Sequence, residues 1–221
     1  MDEHSEAREQ MAKRRKVGNL LGLHILATLS IQQLHPYEIA AQLKAFGKDQ
    51  DIKIQWGSLY TVVQNLEKHG FIAAAETVRE GRRPERTVYR LTPAGRDELT
   101  DWVRELVGTP EAEFPKLQAA LSVVGVLPPD EVIELLEQRL SILAVENDQM
   151  RQVLRATAHE VPRLFLVEGE YRLAIREAEV TWLTGFLTEL RDGTMAGIGA
   201  WRRIHETGEL PEDLSEFMTE T

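Results

Sequence analysis

The chain has 221 residues, of which 43% are hydrophobic, enough for one large domain or two small domains with a buried core. It contains no cysteine, which excludes disulfides, thiol nucleophiles and cysteine-ligated zinc and agrees with a reducing compartment. The charged N-terminus lacks the apolar segment of a secretory signal. The longest apolar stretch, residues 20–34, is shorter than the roughly 20 residues that cross a bilayer. We therefore expect a cytoplasmic protein that makes no membrane contact.

The net charge of −10 is unevenly distributed along the chain. Residues 13–96 contain 14 Lys and Arg against 7 Asp and Glu, whereas residues 97–221 contain 25 acids against 11 basic residues. Such a division predicts two surfaces with different partners. The basic part suits the phosphates of a nucleic acid, although charge asymmetry also arises by chance.

The first part of the chain predicts three helices. Leu and Ile are too dense between Val17 and Ile31 for an exposed face, so we expect a central helix there. Residues 35–38, His-Pro-Tyr-Glu, are typical of a helix start, and the apolar stripe that follows ends at Gly47. A third helix is predicted over residues 57–69, ended by Gly70.

A pair of strands follows the third helix. Residues 71–79 and 86–91 flank a polar segment that contains Gly and Pro, which predicts a hairpin. Thr92 then suits the N-cap of a fourth helix, with Pro93 at its first position. The order of three helices, two strands and a helix is that of a winged helix-turn-helix, and we assign it to residues 1–107.

The C-terminal half predicts further helices. Gly108 to Pro115 is the expected joint between domains, and residues 116–126 predict a short apolar helix. Two long helices are predicted over residues 130–159 and 164–190, and the tail after them is expected to be irregular, anchored by Ile198 and Trp201. The predicted fold class is mainly α (α+β), with a helical dimerisation and effector domain over residues 116–221.

The outer face of the third helix is the candidate DNA-reading surface. On a helical wheel its polar side chains lie opposite the apolar positions, and Gln and Asn amides can pair with adenine in the major groove. A hydroxyl near a helix N-terminus commonly meets phosphate, and an ordinary solvated face is the alternative. The candidates on this face are Ser58, Tyr60, Thr61, Gln64, Asn65 and Lys68, and Tyr37 at the start of the second helix is a further candidate for DNA binding.

The predicted turn between the strands carries Arg82, Arg83 and Arg86. Arginines on a wing tip suit phosphate or a narrow minor groove, and a solubilising loop is the alternative. The basic run over residues 13–16 either adds phosphate contacts from an N-terminal arm or is merely solvated.

An apolar seam runs along the first long helix at alternating spacings of three and four, which is a heptad pattern. It is either packed within the chain or a dimer interface. We favour the interface, because two long helices cannot bury both faces alone, and Asn in the seam would fix its register. The seam consists of Ile133, Leu136, Leu140, Leu143, Asn147, Met150 and Leu154.

Three motifs in the first half resemble the PadR family of transcriptional regulators. Residues 56–71, WGSLYTVVQNLEKHGF, resemble the family's third helix, with Val63 in place of the usual Leu. Residues 81–99, GRRPERTVYRLTPAGRDEL, resemble its wing and following helix, and residues 35–38 resemble the start of its second helix.

The resemblance implies a homodimer whose two wings read a two-fold operator in duplex DNA, with repression as the family default. It also implies a small-molecule effector, of unknown identity, that changes the spacing of the wings. Trp182, late in the last long helix, would belong to the dimerisation region.

Catalysis has no support in the sequence. The six histidines are scattered, and the chain lacks G-x-S-x-G, a P-loop and a G-x-G-x-x-G after a predicted strand. We therefore expect no enzyme activity, no metal and no cofactor. The alternative function is a protein-interaction module that uses the winged helix and the acidic helices, and its binding would depend on salt less steeply than DNA binding does.

Overall fold

The computed structural model describes residues 15–48, 56–78 and 86–208. The chain divides into two compact units, Met1–Ala112 and Glu113–Thr221. In the stretches so described, no helix has both the length and the hydropathy to span a bilayer.

The first unit consists of four helices and two strands in the predicted order, which confirms the winged helix-turn-helix arrangement. The elements are α1 (Leu20–Leu29), α2 (Pro36–Ala45), α3 (Trp56–Lys68), β1 (Ile72–Val78), β2 (Arg86–Leu91) and α4 (Pro93–Gly108).

α1 lies at the centre of the first unit, as its apolar density predicts. It contacts α2, α3, α4 and β2, and its Ile25 and Leu26 are fully buried. Ile39 from α2, Leu59 from α3 and Ile72 from β1 complete the same core. A helix that is apolar on several sides is stable only when several neighbours cover it, and here they do.

Local caps fix where α2 begins and where α3 ends. His35 accepts a hydrogen bond at Nδ1 from the N–H of Tyr37 (3.1 Å), and the Glu38 carboxylate accepts one from the N–H of His35 (2.8 Å). This reciprocal pair satisfies two donors that α2 leaves open. Gly70 adopts a left-handed conformation (φ +75°), and the next residue, Phe71, donates its N–H to the carbonyl of Leu66 (2.9 Å).

The two strands form an antiparallel hairpin with one irregularity. Their register runs from Ile72 opposite Leu91 to Val78 opposite Arg86, and it shifts between Ala74 and Glu76. A separate antiparallel bridge joins Leu34 to Tyr89. The base of the wing is therefore tied to the segment that leads into α2.

The second unit is helical. It contains α5 (Lys116–Leu121), α6 (Pro129–Thr157), α7 (Val167–Asp192) and α8 (Ile198–Thr207), with 3-10 turns at Val124–Val126 and Arg163–Phe165. α6 and α7 pack against each other as an antiparallel pair, bridged near one end by Arg191 with Glu137 and further along by Arg176 with Glu146.

Two expectations for this unit need correction. The helix predicted over residues 116–126 stops at Leu121 and resumes only as a 3-10 turn. The tail expected to be irregular contains α8, whose Ile198 and Trp201 are buried in the core with Val132 of α6. The glycines that precede α8 obscured it, since Gly193 and Gly197 read as loop residues and both adopt positive φ.

Candidate nucleic-acid interface

α3 divides into a buried side and an exposed polar side. Leu59, Val63 and Leu66 are buried in the core of the first unit. The opposite side is exposed from Tyr60 to Lys68, and Ser58 at its edge is half-buried. This accessibility is what the DNA-binding prediction requires. The exposed candidates are Tyr60, Thr61, Gln64, Asn65 and Lys68.

The exposed side of α3 offers mixed hydrogen-bonding groups. Gln64 and Asn65 present side-chain amides, each with donors and an acceptor that fit a base edge. Thr61 donates its hydroxyl hydrogen to the carbonyl of Gly57 (2.9 Å), which leaves its oxygen as an acceptor. Lys68 ends the helix with the one ammonium group of α3, which suits a phosphate.

Tyr37 lies at the first turn of α2, immediately after the His35 cap, and its side chain is exposed. In a helix-turn-helix the first helix of the pair crosses the DNA backbone, so an exposed phenol at its start suits a phosphate contact.

The wing arginines are only partly within the described chain. Arg82 and Arg83 lie outside the described residues. Arg86 begins β2, where its backbone pairs with Val78 of β1. The predicted contacts of all three therefore remain predictions.

Tyr89 of β2 makes a contact that the sequence reasoning missed. Its hydroxyl donates to the carboxylate of Glu67 on α3 (3.2 Å). Burial, and then the neighbouring Glu67 charge and hydrogen bond, raise the pKa of Tyr89. Both residues belong to the motifs that resemble the PadR family, and Glu67 is the only acid of α3.

The junction between the wing and α4 is a tight hydrogen-bonded turn. The Thr92 hydroxyl lies 2.7 Å from the carbonyl oxygen of Gly70 and 3.0 Å from that of Phe71, and it accepts from the N–H of Gly95 (3.0 Å). The N–H of Thr92 also donates to the Phe71 carbonyl (3.1 Å). The predicted Thr92 cap is confirmed, and it joins α4 to the end of α3 as well.

Arg15, from the basic run before α1, is paired with acidic residues inside the first unit. Its side chain is only 6% exposed and forms ion pairs with Glu98 (2.8 Å) and Glu105 of α4. Its guanidinium carbon lies 5.3 Å from the centre of the Trp102 ring. Burial opposes the charge, but the glutamates outweigh it and raise the pKa of Arg15. Arg15 is therefore neither a phosphate-binding arm nor merely solvated, while Lys13 and Arg14 lie outside the described residues.

Part of the seam predicted for dimerisation is buried within the chain. Leu136, Leu143 and Asn147 of α6 are buried, and the two leucines share a core with Leu183 of α7. Asn147 is 2% exposed and accepts a hydrogen bond from Nε of Arg176 (2.9 Å). These three residues therefore pack within the chain, and their part in dimerisation stays a prediction.

The rest of the seam is half-buried. Ile133 and Leu140 pack on the core of the second unit, and Met150 and Leu154 lie further along α6. A contact of this half-buried group with a second copy stays a prediction.

One flank of the α6–α7 pair is apolar and exposed. Leu135 and Ile142 of α6 line an open groove that Glu179 of α7 also lines. Trp182 lies three residues after Glu179, on the same helical face, is 53% exposed and stacks on Phe186 with ring centres 5.2 Å apart. Ile175, one turn before Glu179, is half-exposed as well. We name Leu135, Ile142, Ile175, Trp182 and Phe186 the apolar flank.

The charged side chains around this flank are paired within the chain. Arg139 reaches Glu179 (2.5 Å), and Arg176 pairs with Glu146. The opposite flank carries Thr181 and Asp148 and is polar by comparison. This flank is therefore an apolar outer surface of the second unit, and the charges that line its groove are paired.

Comparison with known proteins identifies the family. The model of the PadR-like transcriptional regulator family matches residues 25–101. Transcriptional regulator Rv3488 of Mycobacterium tuberculosis is 34% identical over 84 residues, which cover 38% of this chain and 73% of that protein. The chain belongs to the PadR-like transcriptional regulator family. This confirms the resemblance, and, because the family consists of transcriptional regulators, it also confirms the expectation that the chain is not an enzyme.

Solved structures extend the likeness to the second unit at the level of fold. Bacillus subtilis PadR in complex with operator DNA aligns with a TM-score of 0.62 and 22% identity, over 78% of this chain and 99% of that one. The same protein in complex with p-coumaric acid gives 0.64 and 19% over the same shares. The Vibrio cholerae virulence activator AphA gives 0.59 and 19%, over 78% of this chain and 98% of that one. The predicted fold class is confirmed.

Proposed function

We propose that this chain is a homodimeric, sequence-specific DNA-binding transcriptional regulator that acts as a repressor on a two-fold operator. The observation that carries the proposal is the exposed polar side of α3, which lies beside a wing in a chain of the PadR-like family. The structure of Bacillus subtilis PadR with operator DNA supports the same use of the fold here.

In this proposal α3 enters the major groove and the wing follows the backbone or the minor groove. Gln64 and Asn65 read base edges, because their amides can both donate and accept. The other candidates position the protein through phosphates or, for the wing, through a narrow minor groove. They are Tyr37, Ser58, Tyr60, Thr61, Lys68, Arg82, Arg83 and Arg86.

The proposed dimer uses the apolar flank of α6 and α7. A two-fold axis brings the same patch of both copies together, so an apolar, internally neutralised surface suits it better than a surface with unpaired charges. Trp182 and Phe186 supply the large aromatic area that such interfaces favour. A two-fold protein then matches a two-fold operator.

We further propose that a small-molecule effector releases the DNA. The support is the structure of Bacillus subtilis PadR in complex with p-coumaric acid. Such an effector would act by preferring a dimer whose two wings no longer match the half-site spacing. The sequence selects no particular compound.

Fluorescence anisotropy on a labelled duplex from the protein's own upstream region tests the proposal, with an unrelated duplex beside it at two salt concentrations. Gln64→Ala/Asn65→Ala should reduce the preference for the native duplex, because base-edge contacts carry the specificity. Arg82→Ala/Arg83→Ala should weaken binding to both duplexes and reduce the salt dependence.

The matched control is Arg202→Ala/Arg203→Ala, which removes the same charge from α8 of the second unit and should leave DNA binding unchanged. Equal affinity of the wild-type protein for both duplexes would contradict sequence-specific recognition. Failure to bind at low salt would refute the DNA-binding function and would favour the protein-interaction alternative.

A further inference from the structure

Tyr89 lies where the wing meets the helix-turn-helix. Its backbone exchanges two hydrogen bonds with Leu34, one from the Leu34 N–H (3.2 Å) and one to the Leu34 carbonyl (3.0 Å). Leu34 immediately precedes His35, the cap of α2. The main chain of Tyr89 therefore joins the wing to the start of α2.

The pairing of the hairpin is irregular beside the same residue. Ala74 pairs with Tyr89, but the next pair is Glu76 with Val88, so Ala75 is an extra residue in β1. An extra residue of this kind bends the strand and increases its twist. The irregularity of β1 therefore lies directly beside Tyr89.

The side chain of Tyr89 reaches the third DNA-facing element. Its hydroxyl donates to Glu67, one turn before Gly70 ends the α3 region. The acceptor is the only acidic residue of α3. A single residue thus connects the wing, the entry to α2 and the end of α3.

We propose that Tyr89 is a positioning residue for DNA recognition, which fixes the angle of the wing relative to α3 through its hydroxyl bond to Glu67. The inference rests on the proposed function, because it assumes that both α3 and the wing contact DNA. The aromatic ring packs on the core of the first unit, so the hydroxyl, and not the ring, is the group under test.

The test is a double-mutant cycle between the Tyr89 hydroxyl and the wing charges, on the full chain. Tyr89→Phe keeps the ring and removes the hydroxyl, and we expect operator affinity to fall about fivefold. In the wild-type background Arg82→Ala/Arg83→Ala should cost about tenfold or more, but in the Tyr89→Phe background only about threefold, because a misdirected wing has less contact to lose.

Two further variants separate positioning from a general structural role. Glu67→Gln keeps an oxygen that accepts from the phenol. In this background Arg82→Ala/Arg83→Ala should therefore reduce operator affinity as much as it does in the wild-type background. Tyr171→Phe makes the same chemical change on an exposed tyrosine of the second unit and should not alter operator affinity. Thermal unfolding of Tyr89→Phe should stay close to that of the wild type.

The outcomes are distinguishable. Equal costs of the wing variant in the two backgrounds, or unchanged affinity of Tyr89→Phe, would overturn the inference while leaving specific DNA binding in place. A wing variant without effect in the wild-type background would overturn it as well. A wild-type protein that binds no DNA would overturn the proposed function and this inference together.

Discussion

Replacing Gly95 by alanine tests the close approach between α4 and the end of α3. A Cβ atom at Gly95 would lie 1.9 Å from the carbonyl oxygen of Phe71 and 2.8 Å from its carbonyl carbon. It would also lie 2.8 Å from Cδ1 of Leu91. The oxygen belongs to the backbone, and the N–H of Thr92 holds it in place (3.1 Å), so no side chain can turn away to relieve the clash.

To remove the clash, α4 must move away from Phe71, because the contact of 1.9 Å is far too short. That movement breaks the Thr92 cap. Overpacking in a tight site costs about 1–3 kcal/mol. Loss of a helix cap costs about 1 kcal/mol more. The higher helix propensity of alanine relative to glycine offsets roughly 1 kcal/mol of this cost. We therefore expect Gly95→Ala to lower the free energy of unfolding by about 1–3 kcal/mol.

Urea unfolding followed by circular dichroism measures this effect, with Gly185→Ala as the matched control. Gly185 lies inside α7, where an added Cβ meets nothing within 4 Å, so the control should be stabilised by about 0.5–1 kcal/mol. A Gly95→Ala protein that unfolds at the same urea concentration as the wild type, or at a higher one, would refute the close approach.

The other predictions concern both units. Asn147→Leu should destabilise the protein by about 1–3 kcal/mol in urea unfolding, because the guanidinium that donates to it loses a buried acceptor. A gain in stability would show that the residue is only tolerated there. Trp182→Glu should shift the protein from dimer to monomer in sedimentation velocity, whereas the neighbouring Thr181→Glu, on the polar flank, should not. Arg15→Met should lower the free energy of unfolding by about 2 kcal/mol, less than a fully buried ion pair would cost, since two partly exposed glutamates lose their partner. The raised pKa of Tyr89 predicts a contribution to stability that is present below pH 10.0 and is lost as the pH rises through the folded-state pKa. An ultraviolet titration of the tyrosines in which Tyr89→Phe removes no late-ionising phenol would contradict it.

The first unit was predictable because its signals are local. The Thr92 cap and the Gly70 stop each depend on residues close in sequence, and both are where the pattern puts them. The exposed and buried sides of α3 follow from helical spacing alone. What the sequence did not reveal here is the Tyr89–Glu67 bond, which joins residues 22 positions apart.

The second unit shows what spacing cannot decide. A heptad pattern predicts that a seam is buried, but it does not predict which helix covers the seam. Leu136 and Leu143 therefore fit an internal helix pair as well as a dimer. Arg15 presents a similar case, since its partner Glu98 is 83 residues away and a basic run looks the same whether solvated or paired. α8 was missed because glycine-rich segments predict loops.

The hydrogen bonds from α8 to the segment before α6 mean that the core of the second unit is covered only after α8 has been synthesised. Trp201 donates its indole N–H to the carbonyl of Leu127 (2.8 Å), and His205 reaches the carbonyl of Gly125 (2.9 Å). α8 thus covers Val132 and the start of α6, which are made some 70 residues earlier. A nonsense mutation ahead of Ile198 would leave that end of the core open to water, so a nascent or truncated chain should expose apolar surface for chaperones and proteases.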